Sequence, residues 1–116
     1  MNRCEMIRYI EETYGVSGDM PWKDSDNLVF RHKENQKWFA LIMDVPRYKL
    51  GLIGSDPVSV VNLKCDPLLS GSFKKEEGIM PAYHMSKVHW ISVLLDGTVD
   101  EDKLIFLLEM SFSLTK

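Results

Sequence analysis

Six consecutive apolar residues, Trp38–Met43 in the run KWFALIMDV, constrain this chain more than any other stretch. A half-exposed element alternates or repeats its apolar positions. An unbroken run is therefore covered on both faces or lies centrally in a sheet. A buried helix is the competing reading, but the pair Trp38–Phe39 and the flanking turns favour a strand. NLVFRHK precedes the run across the short polar turn ENQ, a spacing that predicts a β-hairpin. Further on, SVVNLKC alternates, with Val61, Leu63 and Cys65 on one face and Val60, Asn62 and Lys64 on the other.

Helices are predicted at both ends. In NRCEMIRYIEETYG, Met6, Ile7, Ile10 and Tyr14 recur at spacings of three and four. Asn2 and Glu5 have capping-box spacing, and Gly15 suits the C-terminal stop. The last helix presents Leu104, Ile105, Leu108 and Phe112, with Thr98 as expected N-cap and Glu101 at its capping-box position. A short helix starts at Asp66–Pro67 and is limited by Gly71 and Gly78. IMPAYHM and HWISVLL read as two further strands, and PRYKLGLIGSDP as a turn-rich connection able to carry a short hairpin arm. The expected architecture is a single α+β domain, residues 1–116, with a largely antiparallel sheet and the N- and C-terminal helices on one face.

Several function classes are disfavoured. No apolar run reaches the roughly 20 residues of a membrane span, and MNRCEMIRYIEE lacks the apolar core of a signal peptide. A cytoplasmic location is expected. Cys4 and Cys65 have neither disulfide-scaffold nor zinc-ligand spacing. There is no G-x-S-x-G elbow, P-loop or dinucleotide fingerprint. No cofactor and no catalytic set is therefore expected.

Chemically capable side chains concentrate in PAYHMSKVHW, residues 81–90. His84 and His89 are five apart, which sends them to opposite faces of a strand and about 140° apart on a helix. A shared metal is disfavoured. The net charge of −3 opposes a globally basic surface, yet Arg31, Lys33, Lys37, Arg47 and Lys49 face only Glu34 and Asp44 between residues 31 and 49. Basic residues at hairpin tips beside aromatics and imidazoles suit phosphate and base contacts. The other reading of these charges is a solvated hairpin surface. Trp38 and Trp90 read as core or core-edge residues, and the histidines as hydrogen-bonding members of a corner between strands.

PAYHMSKVHWISVLLDGTVDEDKLIFLLEMSF resembles the C-terminal signature of the MmcQ/YjbR family of small bacterial proteins, Y-H-x-x-K-x-H-W followed by a strand, D-G-[ST] and a helix. It is carried by Tyr83, His84, Lys87, His89, Trp90, Asp96, Gly97 and Thr98, with Ser86 where the family usually has Asn. VFRHKENQKWFALIMDVPRYKLGL, VNLKCDPLL and Pro21–Trp22 also resemble family segments. The resemblance implies an α+β fold like CyaY, the bacterial frataxin, and a DNA-binding role through a double-wing arrangement of hairpins. Iron binding does not carry over, because the first helix has only Glu5, Glu11 and Glu12 among Arg3 and Arg8.

The leading expectation is a non-enzymatic DNA-binding protein. Arg31, Lys33, Lys37, Arg47 and Lys49 would contact phosphates, with His84, Lys87 and His89 close to the same surface. The alternative is a module for a small ligand or protein partner, with a cleft near His84 and beside Trp22 or Trp90.

Overall fold

The hairpin predicted around the apolar run is present in a computed structural model that describes residues 1–116. β1 (Leu28–Arg31) pairs antiparallel with β2 (Trp38–Pro46), and Gln36 takes a left-handed φ of 62° in the turn. β3 (Pro57–Lys64), β4 (Ile79–Pro81) and β5 (Trp90–Leu94) complete a sheet of order β1-β2-β3-β5-β4 in which every neighbouring pair is antiparallel. The unbroken apolar run follows from this order, since β2 has neighbours on both edges and is buried on both faces.

Two adjacent rows of side chains cross all five strands. Leu28, Ile42, Val61, Val93 and Ile79 form one row, and Val29, Leu41, Asn62, Ser92 and Met80 the other. The first faces α1 (Arg3–Tyr14) and α3 (Glu101–Leu114), which bring Met6, Ile10, Leu104, Leu107 and Leu108 onto it. Phe73 of α2 (Pro67–Phe73) joins the same core. No helix covers the second row. A smaller core there, including Leu41, Met43, Val60 and Leu94, is packed by Leu50, Leu52, Tyr83 and Met85 from connections.

Register slips once. Phe30 pairs with Ala40 and Arg31 with Trp38, so Phe39 is the extra residue of a β-bulge. Phe39 and Ala40 consequently both point toward the helices and are fully buried. The β2–β3 ladder ends at the pair Ala40–Leu63, just short of the Phe39 carbonyl and the Lys64 N–H. Ser111 of α3 bridges them: its hydroxyl donates to Phe39 O at 2.6 Å and accepts from Lys64 N at 2.8 Å. Thr115 donates to Ser111 O at 2.8 Å, which commits its only hydroxyl proton. His32 Nε2, 2.7 Å from Thr115 Oγ1, is therefore the donor of that bond. Tyr14 and Phe112 stack beside Phe39 with ring centroids 4.1 Å apart, and burial pushes the Tyr14 hydroxyl up to about 12.

The Asn2 capping box, the left-handed Gly15, and the Asp66 cap with Pro67 after it all occur as predicted. The start of the last helix differs. Asp100, not Thr98, is the N-cap and its side chain makes no capping bond. The Asp96 carboxylate takes the Thr98 N–H, and Val99 is drawn into the core, so the chain turns helical two residues later. Leu107 and Ser111 are buried on that helix, whereas Ile105 and Phe112 are only half-buried. The expected hairpin arm is a short 3-10 turn, Arg47–Leu50, closed by Leu52 N–H donating to Arg47 O at 3.0 Å. Burial of Leu50 and Leu52 against the second face pulls this connection down onto the sheet.

Candidate functional site

The signature stretch is the connection between β4 and β5, residues 82–89. It is fastened to the second face by a buried polar cluster. Ser92 donates to Asn62 Oδ1, Asn62 Nδ2 donates to Tyr83 O at 2.9 Å, and Tyr83 N–H donates to Ser92 Oγ at 2.9 Å. Lys87 Nζ turns inward to Ala82 O at 2.9 Å, and Trp90 N–H donates to Ser86 O at 2.9 Å. The His89 carbonyl accepts from Cys65 N at 2.8 Å, which ties the loop to the end of β3. Under these restraints His84 adopts φ 60°, a left-handed conformation that costs a side-chain-bearing residue free energy. Its ring packs on Tyr83 at 3.9 Å and is exposed above the sheet.

His84, Met85 and Ser86 form one wall of a cleft of about 860 Å³. Leu41 and Met43 of β2 line its floor, and Trp22 and Trp38 form an aromatic corner opposite, with ring centroids 5.9 Å apart and planes at 89°. Trp22 arrives on the 19–27 segment, which is anchored by reciprocal backbone bonds between Asp19 and Val29 at 2.8 and 2.9 Å. Gly18 permits this approach, because a Cβ there would lie 3.1 Å from the Phe30 ring. A second groove, about 350 Å³, shares Trp38 and Met85 with the cleft and continues to Lys37, Lys64 and Trp90. Lys64 Nζ lies 5.9 Å from the centre of the Trp90 ring, within cation–π range.

The predicted basic residues do not share one surface. Lys37 is exposed and lines the groove. Arg31 is held by an ion pair with Asp19 at 3.3 Å and packs its guanidinium 5.8 Å from the Trp38 ring centre, with Nε buried and unpartnered. Lys33 Nζ sits over the C-terminal end of α1, where a Cβ on Gly15 would lie 3.3 Å from it; the helix dipole favours a cation there. Arg47 and Lys49 lie at the far end of β2, about 26 Å away at the strand rise of about 3.3 Å per residue. Arg47 there borders a hollow shared with Glu77 and Asp96, so the charge is mixed. His84 and His89 are exposed at the near end, while Lys87 spends its ammonium within its own loop.

Metal and thiol chemistry find little support in this geometry. No three His, Cys, Asp or Glu side chains come together as a ligand set. Cys65 is buried, and burial raises its thiol above the ordinary value, which keeps it protonated. Cys4 is exposed on α1. Trp38, expected at the core or its edge, is half-buried and also joins both concavities. The available signal was the apolar run itself, which places a tryptophan at the exposed start of a central strand. Met85 and the Asn62–Ser92 pair carried no sequence signal, since only strand register brings them together.

Comparison with known proteins gives a consistent picture. The YjbR family profile matches residues 11–114. The uncharacterized protein YyaQ of Bacillus subtilis (strain 168) is 43% identical over 117 residues, covering 100% of this chain and 99% of YyaQ. A Pseudomonas syringae crystal structure superposes with a TM-score of 0.98 at 47% identity, covering 100% of both chains. A Deinococcus radiodurans crystal structure gives a TM-score of 0.73 at 26% identity, covering 97% of this chain and 77% of that one.

Proposed function

This chain belongs to the YjbR family, and on that premise we propose that it is a non-enzymatic, cytoplasmic DNA-binding protein that works from one end of its sheet. The observation that carries the reading is the groove in which Lys37 and Lys64 flank Trp38 and Trp90 with no acidic side chain in its lining. Lysines supply sequence-independent attraction to phosphates, and adjoining aromatic faces supply contacts to sugars and bases. The far end, with Arg47 beside Glu77 and Asp96, is a poorer anion surface. With a net charge of −3, the affinity is modest and strongly dependent on salt.

The test is a titration of a mixed-sequence DNA at rising salt with paired variants. Lys37→Ala should weaken binding of all sequences alike and lower the salt slope by about 1, while Lys49→Ala at the far end leaves both unchanged. Absence of any salt-sensitive binding near 20 mM salt, or equal losses from the two variants, refutes the reading. A second reading, a small-ligand module, is favoured by the cleft under His84, whose roughly 860 Å³ matches small-molecule sites.

A further inference from the structure

We infer that the nucleic acid bound on this face is single-stranded, with an unstacked base held in the Trp22–Trp38 corner and the adjoining backbone phosphates along Lys37 and Lys64. This inference rests on the DNA-binding reading above and names the form of its ligand. Three observations carry it. The aromatic corner and the basic groove are continuous, sharing Trp38 and Met85. The two concavities differ in kind: the first is floored by Leu41 and Met43 and lined by both Lys23 and Asp24, whereas the second carries two ammonium groups and no carboxylate. A nucleotide has the same division, with a flat ring at one end and an anion at the other.

The corner geometry suits a planar ring. With Trp22 and Trp38 perpendicular, a base lying parallel to one meets the other edge-to-face, both favourable aromatic arrangements. Trp22 remains 41% exposed, so its surface is available to a ligand. His84 and Ser86 stand on the opposite wall with hydrogen-bonding groups for the edge of such a base. Paired bases in a duplex are stacked on their neighbours and cannot enter a recess between two rings without being extruded, whereas a single strand presents its bases freely. A concave site floored on the sheet also differs from the protruding element that a duplex groove admits.

The experiment follows intrinsic tryptophan fluorescence while the protein is titrated with twelve-residue oligo-dT, twelve-residue oligo-U, a twelve-base-pair mixed duplex and thymidine monophosphate, each at 50 mM salt. The expected result is quenching by one or both single strands, with affinity at least about tenfold above the duplex. Trp22→Ala should lose about tenfold of that affinity and Trp22→Phe should retain most of it, as base–aromatic stacking requires. Lys37→Ala combined with Lys64→Ala should flatten the salt dependence by about 1.4 in log–log slope. Salt-sensitive binding in which duplex equals single strand and Trp22→Ala is silent overturns the inference and leaves the DNA reading standing. No binding by any polymer overturns both. Thymidine monophosphate binding as tightly as the oligomers also overturns it, by reducing the site to a small-ligand pocket. So does a dimer, seen by sedimentation and abolished by Trp22→Ala, because a second copy then fills the corner.

Discussion

Ile42 and Leu41 are neighbours on the same strand, yet they face different worlds. Ile42 points into the row closed by two helices, and Leu41 into the row closed by connections. Both are almost wholly inaccessible. The difference lies in what would replace them. Behind Ile42 stand helical side chains at fixed spacing, whereas beside Leu41 lies a cleft already open to water. One face of the sheet is built to be filled and the other to leave a space, with its polar Asn62–Ser92 cluster holding the surrounding loop rather than adding apolar contact.

The largest expected effect tests that contrast directly. Ile42→Ala should cost about 2–5 kcal/mol in urea unfolding, because transfer and cavity contributions both apply. Leu41→Ala should cost only about 2 kcal/mol, since water from the adjoining cleft can enter the space it leaves. Equal losses would mean that the second face is as closed as the first. Next in size, Asn62→Ala should cost about 1–3 kcal/mol by orphaning the Tyr83 carbonyl and the Ser92 hydroxyl. It should also speed amide exchange through residues 82–89 while leaving α3 protected; uniform loosening of the whole domain would contradict a role confined to the loop.

The smallest effect concerns pH and belongs to the helix-covered side. His32 is 7% exposed, and burial lowers its tendency to protonate below the ordinary value of 6.5, with Lys116 and Lys37 acting in the same direction and Glu34 and a bond to the Phe112 backbone opposing them. Between the two values the unfolded chain binds more protons than the folded one, so stability falls as pH drops through 6.5. The urea midpoint should decline from pH 7.5 toward pH 5.5, and more steeply than in His32→Gln. Matching declines would remove His32 as the cause.

The elements were largely legible in sequence because each rests on local chemistry: alternation in β3, the Asn2 box, Asp66–Pro67, and the short polar turn between β1 and β2. The delayed start of α3 was not, because a buried Val99 overrides the cap that Thr98 and Glu101 would form. Of the candidate site, His84 stood out through its motif, while its neighbours Trp38, Leu41 and Met43 looked like ordinary core. The basic residues are close in sequence but not in space, because β2 carries Lys37 and Lys49 to opposite ends. Linear charge counts ignore strand length, and here nine residues of strand separate the two groups.

Ser111 has a consequence for biosynthesis. Its hydroxyl donates to Phe39 O and accepts from Lys64 N where the β2–β3 ladder ends. A chain made only as far as β3 lacks the side chain that joins the ends of β2 and β3. Locking the central strands waits for residue 111 to leave the exit tunnel. A nascent chain stalled before α3 would lack this bridge and the core residues Leu104, Leu107 and Leu108, leaving its sheet open to chaperones or proteases.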